Sequence, residues 1–196
     1  MMTEKDEAKA GKHLPKQDLE PSSRKIITLT INGKRYHLRF GDDMEPWESP
    51  AYDVYPWDTL AHTLRETLGL TGTKVACDNG ACGSCTVLMN GKPILSCSTL
   101  TADCDGNEIT TIEGLGDPVT GKLHPIQQAF VDHHGVQCGF CIPGMILSTK
   151  ALLDKNPNPT EEEVKEELSG NLCRCGNYSL ILKSVMEAAE TIRRKG

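Results

Sequence analysis

The sequence has no hydrophobic run long enough to cross a membrane, since nowhere do eighteen apolar residues follow one another. Its first residues, MMTEKDEAKAGKHLPKQ, also lack the apolar core of a secretory signal and a twin-arginine pair. Basic residues are not in excess either: the formal net charge is -6, which argues against nucleic acid as a partner. We therefore expect a soluble, cytoplasmic protein without a membrane span.

Motifs for substrate chemistry are missing as well. The sequence shows no Ser/His/Asp set, no paired-carboxylate motif and no GxGxxG dinucleotide fingerprint. It does contain nine cysteines among 196 residues, a length that can build a core without disulfides. In a reducing compartment, clustered thiols are more often metal ligands or redox groups than disulfides. The cysteines are therefore the candidate functional residues.

Composition and hydrophobic periodicity predict an α+β protein with four segments. Residues 1–25 are polar and predict a disordered tail, whereas residues 26–113 predict a sheet with one helix. Residues 114–122 are glycine-rich and predict a linker. Residues 123–196 predict four helices, the third of which opens with the capping box Thr160-x-x-Glu163.

Local signals give more detail for residues 26–113. Asn-Gly pairs at 32–33 and 90–91 predict two hairpins with type I′ turns. Leu60, Leu64 and Leu68 lie four residues apart and predict one amphipathic helix that stops at Gly69, and EITTI predicts a further strand. The loop GDDMEPWESPAYDVYPW, which carries both tryptophans, is interpreted either as a lid over the sheet or as an aromatic contact with a partner.

The first cysteine set lies in the sheet segment, with the pattern Cys77-x4-Cys82-x2-Cys85-x11-Cys97. This spacing is typical of plant-type 2Fe-2S clusters. Glycines at 80 and 83 allow positive φ angles, so that backbone amides can approach the cluster. A structural zinc site is the alternative, but such sites usually gather paired C-x2-C knuckles.

The second set lies in the helical segment, with the pattern Cys138-x2-Cys141-x31-Cys173-x-Cys175. Four thiolates suit zinc or a 2Fe-2S cluster equally well, so ligand type alone leaves this site open. The ninth cysteine, Cys104, is interpreted as a thiol that binds no metal, because the second hairpin already returns Cys97 to the first loop.

Four stretches, CDNGACGSCTV, LSCSTL, QCGFCIPGM and GNLCRCGNY, occur in this order. With this arrangement the chain resembles, over residues 26 to 192, the small iron-sulfur subunit of the molybdenum hydroxylases, the xanthine dehydrogenase and aldehyde oxidoreductase family. The resemblance implies a ferredoxin-like β-grasp domain followed by a four-helix domain, each with one 2Fe-2S cluster. It also implies that the second set binds a cluster rather than zinc.

The resemblance further implies an oxidoreductase subunit that transfers electrons. Its partners would be a large molybdopterin-binding subunit and a medium FAD-binding subunit, in a dimer of heterotrimers. Gln137 and Cys138 would contact the pterin, since a side-chain amide offers both donors and an acceptor. A cap on the neighbouring turn is the alternative role of Gln137. Alternatives for the whole chain are a free-standing ferredoxin-like carrier and a structural zinc protein.

Overall fold

The computed structural model describes residues 25–41 and 53–195. One five-stranded sheet has the order β2-β1-β5-β3-β4. The strands are β1 (Lys25–Ile31), β2 (Lys34–Phe40), β3 (Thr86–Met89), β4 (Lys92–Leu95) and β5 (Glu108–Thr110). The helices are α1 (Leu60–His62), α2 (Pro125–Asp132), α3 (Ile142–Lys155), α4 (Glu161–Glu167) and α5 (Tyr178–Lys195). Among the described residues, no helix is long and apolar enough to span a membrane.

Both predicted hairpins are present. The turn between β1 and β2 has φ angles of 52° at Asn32 and 77° at Gly33, and the turn between β3 and β4 has 51° at Asn90 and 77° at Gly91. Positive φ at both central residues is the requirement of a type I′ turn. The prediction is confirmed. Strand β5 joins the two hairpins, parallel to β1 and antiparallel to β3.

The predicted single helix after residue 59 is replaced by two short pieces. Helix α1 has only three residues and runs directly into a π-helical turn, Thr63–Thr67. The backbone N–H of Leu68 therefore donates to Thr63 O, five residues back. Leu60 and Leu64 are fully buried while Leu68 is only partly so. A spacing of four residues fits either kind of turn, so the leucines alone did not reveal the π turn.

The apolar face of the sheet forms one core with these two turns. Alternate residues of β1 are buried in it, as period-2 strand geometry requires. The buried members of this core are Ile27, Leu29, Ile31, Leu38, Val54, Leu60, Leu64, Val87, Cys104 and Ile109. Two strand boundaries differ slightly from those predicted from the sequence. Strand β1 begins at Lys25, inside the predicted tail, and β5 ends at Thr110 rather than at Ile112.

Helices α2 to α5 surround a second core, whose largest fully buried side chain is Phe130. The predicted capping box opens α4: Thr160 Oγ1 accepts from the N–H of Glu163, and the Glu163 carboxylate accepts from the N–H of Thr160. These bonds hold the pKa of Glu163 below its usual range. Helix α3 also packs against β3, so the helical part contacts the sheet. The exact domain limits stay a prediction.

Most of the long loop that joins β2 to α1 lies outside the described residues, including Trp47. Its end returns to the sheet, where Val54 pairs with Phe40 and is fully buried. Trp57 is 56% exposed, and its ring stacks on Tyr55 with a centroid distance of 5.3 Å. Trp57 is therefore not buried as the side chain of a lid over the core would be, and a partner contact stays a prediction.

Candidate metal centres

The loop of residues 77–85 turns repeatedly through left-handed conformations. The φ angles are 53° at Asp78, 77° at Gly80 and 69° at Gly83. The prediction of positive φ at the two glycines is confirmed, whereas the turn at Asp78 was not predicted, although Asp tolerates this conformation. One result is that the N–H of Ala81 donates to Cys77 Sγ at 3.3 Å. Backbone donors of this kind stabilise thiolates.

The first four cysteines meet as two pairs. The Cys77 thiol interacts electrostatically with that of Cys82, and the Cys85 thiol interacts with that of Cys97. The hairpin β3–β4 brings Cys97 back to Cys85, and Ser96 Oγ closes it by donating to Cys85 O at 2.6 Å. The loop also lies close to the turn of Cys97, because a Cβ on Gly80 would approach Ser98 Oγ to 2.9 Å.

The partly exposed Cys77 and the buried Cys85 differ in their electrostatics. Backbone N–H donation from Asn79 and contact with Cys82 lower the pKa of Cys77 to about 7. Burial raises the pKa of Cys85 to about 11. The buried thiol therefore ionises only when a positive partner compensates for its lost hydration, which is what a metal ion does.

The second four cysteines also meet as pairs, at the start of two helices. Cys138 interacts electrostatically with Cys175, and Cys141 interacts most strongly with Cys173. Cys141 is the N-cap of α3, while Cys173 and Cys175 lie just before α5. Left-handed backbone at Gly139 and Gly176 turns both short loops. Cys141 and Cys173 are buried, whereas Cys138 and Cys175 are exposed, so one pair faces the protein and the other faces out.

At the second site the pKa is raised at Cys141 and Cys175 and lowered at Cys138 and Cys173, so the shifts do not follow burial alone. Burial, followed by contact with Cys173, raises the pKa of Cys141 to about 12. The N–H of Phe140 is the main cause of a lowered pKa at the exposed Cys138. The phenol of Tyr178 accepts a 2.8 Å hydrogen bond from the N–H of Cys173 and so fixes the backbone at that residue.

The ligand atoms at the two sites indicate which metal centre they can bind. In the described part of the chain, no group of three His, Cys, Asp or Glu side chains is arranged to hold a metal ion. Each site nevertheless offers four free thiols, the ligands that hold a 2Fe-2S cluster, so the donor sets fit such clusters.

The two sites are neighbours. The N–H of Leu172 donates to Cys82 O at 2.9 Å, and the Asn171 side chain donates to Gly83 O at 2.9 Å. A cavity of about 380 Å³ lies between the sites and is lined by thiols of both, among them Cys82, Cys138, Cys141 and Cys173. Sequence reasoning missed Asn171, although its position two residues before Cys173 was a usable signal.

Gln137 lies on the exposed side of the second site. Its Nε2 donates to Asn177 Oδ1 at 3.2 Å, and Asn177 in turn donates to His134 O at 3.1 Å. This network orients the amide beside the exposed Cys138. Its predicted contact with a pterin stays a prediction.

Cys104 has a different environment from the other eight cysteines. It is fully buried in the core of the sheet and donates to Leu100 O at 3.4 Å. Burial raises its pKa to about 11, so it stays a protonated thiol at neutral pH. This environment agrees with its interpretation as a thiol that binds no metal.

Comparison with known proteins supports two cluster domains. Residues 56–132 match the family described as the 2Fe-2S iron-sulfur cluster binding domain, and residues 111–186 match the 2Fe-2S binding domain family. The small subunit of nicotine 6-hydroxylase from Paenarthrobacter nicotinovorans is 45% identical over 175 residues, which cover 89% of this chain and 96% of that one.

Two further proteins extend this comparison. The iron-sulfur-binding subunit of an Escherichia coli aldehyde oxidoreductase is 42% identical over 182 residues, covering 85% of this chain and 72% of that one. Among solved structures, quinoline 2-oxidoreductase from Pseudomonas putida 86 contains a chain that aligns with a TM-score of 0.76 and 42% identity. That alignment covers 88% of this chain and 98% of that chain.

Proposed function

The chain belongs to the small iron-sulfur subunits of the molybdenum hydroxylase family, and we propose that it relays single electrons between a molybdopterin centre and FAD on partner subunits. The observation that carries this proposal is the direct contact between the two thiol sites, through Leu172 and Cys82. Two neighbouring one-electron sites in one chain suit a relay, because an electron accepted at one site can pass to the other. We interpret the two parts as a ferredoxin-like β-grasp domain and a four-helix domain.

Each site would hold one cluster through its four thiols. The ligands would be Cys77, Cys82, Cys85 and Cys97 in the first site and Cys138, Cys141, Cys173 and Cys175 in the second. A bound 2Fe-2S cluster supplies reversible one-electron chemistry. The chain supplies backbone N–H groups that stabilise the thiolates and burial of four of these thiols, which excludes water.

Exposure indicates where partners would dock. Cys138 and Cys175 face out, and Phe140, Leu172 and Tyr178 around them are also exposed. We propose that the large molybdopterin-binding subunit covers this face and that Gln137 and Cys138 meet the pterin there. A medium FAD-binding subunit would receive electrons from the first site, in a dimer of heterotrimers. The cytoplasmic location stays a prediction.

Two measurements on the purified protein test the proposal. We expect about four irons and four acid-labile sulfides per chain, as two centres with distinct electron paramagnetic resonance (EPR) spectra. We also expect a large molybdenum-containing chain to co-purify. Stoichiometric zinc would support a structural protein instead. Two clusters in a chain that purifies alone from its native source would support a free-standing carrier.

A further inference from the structure

Asn171 bridges the two thiol sites with its side chain. It is 5% exposed, and its amide Nδ2 donates to Gly83 O at 2.9 Å and to Thr86 Oγ1 at 3.4 Å. Its Oδ1 accepts from Ser148 Oγ at 2.9 Å. Gly83 lies between Cys82 and Cys85, and Asn171 lies two residues before Cys173. One buried amide therefore ties the loop of the first site to helix α3 and to the loop of the second.

The backbones around this amide are in direct contact. A Cβ on Gly83 would lie 2.4 Å from Gly170 O and 2.6 Å from Asn171 Nδ2. A Cβ on Gly144 would lie 2.3 Å from Gly83 O. No side chain could be inserted here without moving one loop away from the other, so the separation between the two sites is set by this contact.

An asparagine suits this position for a chemical reason. Its amide can donate to a carbonyl on one side and accept from a hydroxyl on the other, and it carries no charge. An apolar residue would remove this donor from Gly83 O, which keeps two hydrogen bonds from Thr86, and would leave Ser148 Oγ without its acceptor; an unpaired buried polar group is costly. A carboxylate of the same shape could still accept from Ser148 but would face Gly83 O with a second acceptor oxygen.

The rate of electron transfer between two protein-bound centres falls steeply as the distance between them increases. We propose that Asn171 is a positioning residue for electron transfer between the two cluster sites, because its amide holds the loop of Cys82 against the loop of Cys173. This inference rests on the proposed function, since it needs a cluster at each site. In this inference Asn171 sets the distance between the two clusters and binds neither of them.

The test compares Asn171→Ala and Asn171→Asp with the unaltered protein in the cluster-loaded full chain or its complex. The control is Ser184→Ala, which removes a buried hydroxyl that donates to Leu180 O within α5, away from the contact between the two sites. The first readout is the spin–spin interaction between the two reduced clusters in EPR spectra. The second is the rate of electron transfer from one cluster to the other.

In both Asn171 variants we expect two intact cluster signals, a weaker spin–spin interaction and a several-fold slower transfer, whereas the control keeps the original values. Unchanged interaction and rate in both variants would overturn the inference. Loss of a cluster in both variants would also overturn it, because Asn171 would then serve assembly rather than spacing. If the Asn171→Ala variant alone fails to assemble its clusters, the spin–spin interaction and transfer rate of Asn171→Asp decide, because aspartate has the same shape as asparagine. Absence of two clusters in the unaltered protein would refute the proposed function itself, before any variant is compared.

Discussion

The backbone N–H of Leu172 donates a 2.9 Å hydrogen bond to the carbonyl oxygen of Cys82. Leu172 directly precedes Cys173, so this bond joins a candidate ligand of one cluster to the residue next to a candidate ligand of the other. The path between the two sites consists only of covalent bonds and one hydrogen bond. A route that does not cross solvent favours fast electron transfer within the chain.

The first prediction removes that hydrogen bond with Leu172→Pro, since proline has no N–H. Asn171 is already extended, with φ -111° and ψ 111°, a conformation that a following proline accepts. An unsatisfied carbonyl costs roughly 1–3 kcal/mol, so we expect clusters to be lost at a lower temperature and transfer between them to slow. The readouts are visible absorption during heating and the rate of transfer.

Leu172→Ala is the matched control for this change. It keeps the N–H and removes only a side chain that is 53% exposed. We expect its melting temperature and transfer rate to stay close to those of the unaltered chain. Equal losses in both variants would show that the side chain, not the hydrogen bond, is what matters.

Local patterns predicted the parts of this fold that depend on neighbouring residues. Both Asn-Gly turns and the Thr160 capping box belong to this class, because each depends on conformations that a few adjacent residues prefer. The contact of Asn171 with Gly83 joins residues 88 positions apart, and no local pattern carries it. It arises where α3 packs on β3, which only the folded chain shows.

The cysteine sites show the same division. Spacing separated the thiols into two sets of four, but it could not show which thiols pair, because pairing depends on the path of each loop. In the first loop that path includes a left-handed turn at Asp78, a residue that also adopts other conformations. The ligand assignments themselves stay predictions that substitution must test.

The second prediction concerns the fourth ligand of the first site. Cys97→Ser should abolish one cluster signal, because the hairpin β3–β4 returns Cys97 to the neighbourhood of Cys85. Cys104→Ser should leave both signals, since the serine hydroxyl can still donate to Leu100 O in the core of the sheet. Iron content and EPR spectra of the two variants decide. Loss of a cluster in the Cys104 variant would reverse the assignment.

The third prediction concerns the contact between the sheet and the helices. Gly144→Ala places a methyl group 2.3 Å from Gly83 O, so α3 must move. Overpacking of this kind costs roughly 1–3 kcal/mol, and we expect a lower melting temperature. Gly170→Ala is the control, because nothing lies within 4 Å of its added Cβ. A Gly144 variant as stable as the control would show that this interface yields easily.

The last prediction concerns Gln137, whose amide is oriented by Asn177 beside the exposed thiol of Cys138. Gln137→Leu keeps the size of the side chain but removes its hydrogen-bonding groups. Both clusters should remain, because Gln137 contributes no sulfur. If the amide meets a pterin, the loss of one or two hydrogen bonds weakens retention of the molybdenum cofactor by roughly five- to thirtyfold.

Molybdenum content per iron in the purified complex measures that retention, and stopped-flow reduction by substrate measures how fast electrons reach the second cluster. Gln128→Leu is the matched control, since Gln128 is another exposed glutamine whose amide bonds Asp132 within α2. We expect that control to keep full molybdenum occupancy and the original rate. If the Gln137 variant has the same molybdenum occupancy and reduction rate as the control, Gln137 serves only the local network with Asn177 and His134. The loss of a local hydrogen bond would change stability but not retention of the molybdenum cofactor.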